Sequence, residues 1–353
     1  MSTIHCSLSR IVICFMSLLV THTTSMSQET TATPVVISHR GASGYLPEHT
    51  QEAAVLAHAM GADYIEQDVV LTRDAVPVVL HDLTLDDVTN VAEVFTGRAR
   101  NDQRHYVMDF TWNELQTLRV HERTSANRAW KDHNNRFPAD QGKFRIATLS
   151  EHLALIRGLN QTTGRDTGIY VEIKDPARHR EKGLDSSTVI LKVLNDAGYR
   201  KSDDRIFVQC FDPSEIRRLR EELHCELPLI QLCSKKPTPE QIAEYAPFVN
   251  GLGVQLTHVI EGKREDGTPI VSDVVQEARK HAIQVHVWTF RVDAMPEFCS
   301  ETSELLSWLC RDGGIDGIFT DHPDVVIKWR NQNTELVGRS GPFHLLNESA
   351  RPK

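Results

Sequence analysis

Three carboxylates, two imidazoles and two cations stand in this chain where buried backbone is expected. His39 and Arg40 directly follow the apolar run VVI at 35–37. Glu66 and Asp68 lie within YIEQDVVLT at 64–72, a run rich in β-branched residues, and His81 follows VPVVL at 76–80. Glu172 and Lys174 sit two apart in IYVEIK at 169–174. Side chains alternate along a strand, so Glu66 shares a face with Asp68, and Glu172 with Lys174. Charged groups inside buried strands are costly unless paired or bound to a metal. Acids gathered at one place would repel each other without a cation, and carboxylate oxygens select a hard ion, Ca²⁺ or Mg²⁺, over zinc. Imidazoles beside them suit proton transfer. Each residue alone has an ordinary explanation. A lone histidine is more often structural, and Arg40 and Lys174 would balance the acids as ion pairs. Later runs add Gln209, His286 and Trp288, the last as much at home in packing as in ligand contact. Glu48 and His49 read as loop and helix-start residues.

The elements that must hold these residues follow from the pattern around them. Gly41 and Gly44 allow a sharp turn after the first strand, and Thr50 is read as the N-cap of a helix over 50–60 that Gly61 ends. A turn at 73–75 folds 64–72 onto 76–80 as an antiparallel hairpin, which brings His81 roughly level with Asp68. From residue 148 helices alternate with strands: helices at 149–159, 186–197, 213–223, 239–246, 272–281, 304–310 and 323–330. The strands between them fall at 169–174, 205–211, 228–233, 249–255, 283–290 and 316–320. With the hairpin counted as one position the strands number eight, the pattern of a (β/α)₈ TIM barrel over 34–330. Residues 83–142 break the rhythm. They are polar, carry one helical signal at 111–118, and include Phe95, Tyr106, Phe110, Trp112, Trp130 and Phe137. A small packed insertion covering one end of the barrel is expected there, and a polar tail over 331–353.

The 353 residues are 40% hydrophobic and 25% charged, globular values that indicate neither a disordered nor a membrane-embedded chain. The net charge of −9 and the lack of a basic stripe argue against a nucleic-acid partner. A small anion held by local cations remains compatible. IVICFMSLLV at 11–20 is too short to span a bilayer, follows Arg10, and precedes a small polar stretch. That order predicts a secretory signal peptide over 1–25 and a periplasmic or secreted product without stable membrane insertion after cleavage, with an uncleaved anchor as the alternative. Of seven cysteines, Cys6 and Cys14 would leave with the signal. The other five show no metal spacing and are expected mostly as buried free thiols, with room for one bridge.

HRGASGYLPEHT at 39–50, EQD at 66–68, VVLHD at 78–82 and EIK at 172–174 together resemble the glycerophosphodiester phosphodiesterase family. VHVWTFR and GIFTDHPD resemble its closing strands, so the likeness runs over about 34–330. Their joint occurrence is specific, whereas HRG or HD alone would be weak. The resemblance implies a (β/α)₈ barrel with an inserted subdomain and a divalent metal. The insertion and secretory start resemble the periplasmic bacterial branch, for which the metal implied is Ca²⁺. It further implies cleavage of deacylated phospholipids, such as glycerophosphocholine and glycerophosphoethanolamine, to sn-glycerol 3-phosphate and an alcohol. Carried over by position, it makes Glu66, Asp68 and Glu172 metal ligands and His39 and His81 the acid–base pair. Arg40 and Lys174 fall at phosphate contacts, while Gln209 and Trp288 are candidate substrate contacts from their strands. His49 departs from the Asn of many members and, at a helix start, is expected to affect chemistry little. A binding protein that kept only the scaffold is one competing expectation, against which the intact His39, His81 and carboxylate set speaks. A related phosphodiesterase of the phospholipase D type acting on intact lipid is another, and would call for an exposed apolar or aromatic rim.

Overall fold

The structure is a computed structural model that describes residues 33–124 and 135–334. The expected signal peptide, Trp130 and most of the expected tail lie outside the described residues. Eleven strands are described: β1 (Val35–Ser38), β2 (Tyr64–Leu71), β3 (Pro77–Val79), β4 (Gly168–Ile173), β5 (Ile206–Cys210), β6 (Leu229–Cys233), β7 (Gly251–Gln255), β8 (Ile260–Lys263), β9 (Pro269–Val271), β10 (Gln284–Phe290) and β11 (Gly317–Thr320). Parallel pairing runs β1-β2-β4-β5-β6-β7-β10-β11, and β1 pairs with both β2 and β11, so eight strands close a barrel. β3 lies antiparallel on β2, with Val69 opposite Val79, as the short turn dictates. Asp68 and Glu172 are register partners across β2 and β4.

Alternation along each strand sorts the core into two layers. Inside the barrel Ile37, Tyr64, Tyr170, Ile230 and Phe319 pack together. Outside it Val36, Ile65, Val69, Val171 and Val208 meet the surrounding helices. His286 belongs to the inner layer. It is buried and hydrogen-bonded to the Tyr170 hydroxyl at 2.9 Å, so this polar residue of a late strand sits within the barrel core and away from its mouth.

The helices fall where periodicity places them, with ends moved by capping. Thr148 and Glu151 form a capping box that starts Leu149–Thr163, four residues longer than expected because Gly164 is what stops it. The helix expected over 111–118 is only Trp112–Leu115, and the one at 304–310 ends at Ser307 and continues as a π turn. The antiparallel pair β8–β9 and the helix Pro176–Glu181 were not expected. The alternating burial of β8 spans only four residues, too short a signal to separate from a loop.

The insertion is packed. Val88, Val91, Phe110, Leu115, Leu118 and Val120 form a second core with Val70 and Val78 of the hairpin, flanked by Phe95, Tyr106, Trp112 and Phe137. Phe144 and Ile146 extend this core past residue 142. Cys210, Cys225, Cys233, Cys299 and Cys310 are buried and free. Among the described residues no helix is long and apolar enough to cross a membrane.

Candidate active site

The turn after β1 is built from strained backbone. Arg40 (φ 57°) and His49 (φ 61°) occupy the left-handed region that L-residues avoid, as does Gly41 (φ 80°). Gly41 is also required sterically, since a Cβ there would stand 2.8 Å from the Ala53 carbonyl carbon. The strain is held by hydrogen bonds. The Arg40 N–H donates to Glu66 Oε2 at 2.7 Å, and the His49 N–H donates to the Arg40 carbonyl at 2.9 Å. Thr50 caps the following helix as expected. These bonds tie the turn after β1 to the acids of β2.

Two imidazoles reach the same cavity, each backed by a carboxylate. His39 Nδ1 donates to Asp321 Oδ1 at 2.7 Å, and His81 Nδ1 donates to Asp82 Oδ1 at 2.7 Å. Both bonds leave Nε2 as the proton-exchanging nitrogen. Burial, with the neighbouring Arg40 charge, pushes His39 down to about 3. Burial, Arg40 and Lys174 push His81 down to about 4. Both rings are therefore neutral at neutral pH. Burial opposes ionisation of Asp321, but Arg291, His39 and Arg136 outweigh it and keep the carboxylate charged.

The acids crowd beside them. A donor atom from each of His49, Glu66 and Asp68 lies within 4.8 Å of the other two, and all three residues are buried. His49 Nε2 donates to Asp68 Oδ2 at 2.7 Å. Lys174 Nζ lies 2.8 Å from Glu172 Oε1 and 3.6 Å from Asp68 Oδ1, which has no hydrogen-bond donor. Burial and the charge of Asp68 raise Glu66 well above the usual carboxylate range, and burial raises Glu172 to about 8 against the pull of Lys174. Asp68 is held well below its range despite burial by Lys174, His81 and His49. Three oxygen-bearing acids thus outnumber Arg40 and Lys174. An orphaned Asp68 oxygen and an acid reluctant to ionise are what a hard divalent cation would satisfy, so the residues present fit one.

His39, Arg40, Glu66, His81, Glu172, Gln209 and Trp288 line one cavity, together with Phe211 and Arg291. Asp68 and Lys174 join these residues through the ion pair of Lys174 with Glu172. Gln209 Oε1 and Trp288 Nε1 are buried without protein partners. The reading of His49 as a mere helix-start residue is corrected: it is buried against Asp68, because its left-handed φ turns it toward β2. Glu48 is corrected likewise, accepting from Arg40 Nη1 at 3.0 and 3.1 Å. Asp321, Asp82, Arg123 and Arg136 were missed. Asp321 lies 282 residues from His39 in sequence, and no local pattern signals that contact. The adjacency of Asp82 to His81 did offer a signal.

A family model for the glycerophosphoryl diester phosphodiesterase family matches residues 39–325. The chain is similar to a glycerophosphodiester phosphodiesterase of Haemophilus influenzae, 36% identical over 326 residues that cover 84% of this chain and 89% of the relative. One from Treponema pallidum is 34% identical over 84% of this chain and 91% of its own length. The fold resembles a solved glycerophosphodiester phosphodiesterase of Agrobacterium tumefaciens at TM-score 0.55 and 21% identity, covering 84% of this chain and 99% of that one. It also resembles an Oleispira antarctica phosphodiesterase, solved in complex with its product sn-glycerol-3-phosphate, at TM-score 0.59 and 20% identity over 85% and 97% of the two chains. With a barrel of this topology and a match spanning most of its length, the chain belongs to the glycerophosphoryl diester phosphodiesterase family.

Proposed function

We propose that this chain hydrolyses glycerophosphodiesters, deacylated phospholipids such as glycerophosphocholine and glycerophosphoethanolamine, to sn-glycerol 3-phosphate and the free alcohol. The observation that carries the reading is the pair of carboxylate-backed imidazoles on a cavity shared with Arg40, Glu66 and Glu172. The product bound by the Oleispira relative supports the same substrate class.

A phosphodiester is an anion that repels nucleophiles, so the site must neutralise it. Arg40 lines the cavity and meets the phosphate, with Lys174 as the second cation. Glu66 and Asp68, with Glu172 across the strand pair, would hold the cation, Ca²⁺ by family resemblance and Mg²⁺ as the other oxygen-seeking choice. Bound there it would act as a Lewis acid toward a phosphoryl oxygen. His39 takes a proton from the attacking hydroxyl, either of water directly or of the substrate's glycerol with a water then opening the cyclic phosphate, and its neutral state suits a base. His81 protonates the departing alcohol, and the bound phosphodiester's negative charge favours the protonated ring this requires. Such acid–base help is worth about 10²–10⁴-fold in rate. Gln209 and Trp288 contact the substrate from β5 and β10. The N-terminal sequence supports export to the periplasm or medium.

Phosphorus NMR of a glycerophosphocholine digest tests the reading. The glycerol 3-phosphate signal is expected to appear with calcium, vanish with a chelator and return on calcium addition. Undiminished turnover after rigorous chelation would remove the metal. His39→Ala and His81→Ala are each expected to lower kcat by about 10²-fold or more with folding intact, and a near-normal rate in either removes that residue from the mechanism.

A further inference from the structure

The carboxylates that back His39 and His81 are each gripped by an arginine of the insertion. Arg136 Nη2 donates to Asp321 Oδ2 at 2.6 Å, the oxygen that His39 does not use, where Arg291 Nε also donates at 2.7 Å. Arg123 Nη1 donates to Asp82 Oδ2 at 2.5 Å, the oxygen that His81 does not use. The same Arg123 binds both oxygens of Glu48, at 2.9 and 2.5 Å, and Glu48 in turn holds Arg40. Arg136 is anchored further by Asp293, at 2.8 and 3.2 Å. Both arginine side chains are largely buried.

We propose that the insertion is a positioning clamp for catalysis, with Arg136 fixing the Asp321–His39 pair and Arg123 fixing the Asp82–His81 pair together with Glu48–Arg40. A carboxylate with one oxygen on an imidazole can still swing about its own bond. A guanidinium on the other oxygen removes that freedom through charge-assisted bonds whose fork has fixed geometry. It also supplies the positive partner that a buried carboxylate needs, so the imidazole is not left to neutralise it. Barrel strand β1 brings His39 to the cavity, and the hairpin brings His81 there from just past the end of β3. Arg291 from the end of β10 shares the hold on Asp321, and the remaining grip on both partners comes from one excursion between β3 and β4 that is packed against the hairpin. Arg123 bonds the carboxylates of Asp82 and Glu48, and Arg136 that of Asp321. They act through other residues.

This inference rests on the phosphodiesterase reading, and the test separates the two. Arg123→Met and Arg136→Met would be compared with wild type and with Arg100→Met, whose arginine pairs with Asp109 inside the insertion and leaves the site alone. All three variants are expected to melt as folded proteins. Arg123→Met and Arg136→Met are expected to lower kcat by about 10–100-fold, the usual penalty for losing an outer partner of a site residue. Arg136→Met leaves KM near wild type, and Lys at either position recovers part of the loss. On a p-nitrophenyl ester of glycerol phosphate, whose leaving group needs no proton, the deficit of the clamp serving the acid shrinks while the other persists. Nitrogen-15 NMR reads the same clamps without turnover: Arg136→Met is expected to shift the His39 Nδ1–H signal and Arg123→Met that of His81. Unchanged signals, or wild-type kcat in both variants, overturn the clamp. A wild-type protein inert toward every glycerophosphodiester overturns the proposed activity instead, and the NMR shifts still decide the clamp.

Discussion

His49 shows how much one residue's surroundings change its meaning. Its left-handed backbone drives the ring inward, where Nε2 meets Asp68 and the carbonyl accepts from His152 Nε2 at 3.1 Å. Asp68 carries the most firmly ionised carboxyl of the acid cluster, and His49 is one reason. His49→Ala should leave that carboxylate free to rotate and weaken divalent-metal affinity by about 10–100-fold. His49→Asn, which keeps a side-chain donor, should lose much less. Isothermal titration of calcium into both variants decides the matter, and equal affinities in wild type and His49→Ala would reduce His49 to packing. The acids, the imidazoles and the two cations could be read from sequence because strand alternation exposes misplaced charge two residues apart. Asp321, Arg123 and Arg136 could not, since their roles come from contacts across the chain that no periodicity encodes.

At the scale of elements, the strand–helix alternation was legible because buried parallel strands are near-continuous apolar runs and the helices carry explicit caps. Thr148 with Glu151, and Thr111 with Glu114, form capping boxes in the structure, where only the Thr50 cap was read from sequence. The hairpin of β2 and β3 was legible from its turn length, and its consequence, His81 near Asp68, follows from register. Less legible was where the turn after β1 stores its strain, for Arg40 and His49 share the burden with Gly41. Gly41 nevertheless allows the sharpest test. A side chain there must adopt a left-handed φ, a cost of about 1–2 kcal/mol, and its Cβ would press on the backbone of Ala53. Gly41→Ala should therefore lower unfolding stability by at least that amount and displace Arg40, so kcat/KM falls as well. Urea denaturation and steady-state kinetics on the same preparation check both. A variant with lower stability but full activity would show that Arg40 is placed by Glu66 and Glu48 without help from the turn.

For the whole molecule, buried histidines make stability depend on pH. His286 lies in the barrel core, bonded to Tyr170, and burial lowers it from an ordinary value near 6.5 to about 3. Below pH 6.5 the unfolded chain takes up a proton at this residue that the folded chain refuses. The unfolded state then binds more protons, so stability falls as pH drops through the window from about 6.5 to about 3, and the full contribution is present only above it. The slope from one such group is about 1.4 kcal/mol per pH unit. His152, buried beside the site and lowered to about 3, acts in the same direction. Unfolding free energies measured by denaturant from pH 7 down to pH 4.5, in chelator so that metal binding does not intrude, should decline steeply for wild type. His286→Asn should lose stability at pH 7 through the changed packing, yet show a slope shallower by about the contribution of one group. The difference of slopes isolates this histidine from the carboxylates that titrate in both proteins. Parallel curves would mean that the barrel core admits the proton, and that acid sensitivity arises at the site.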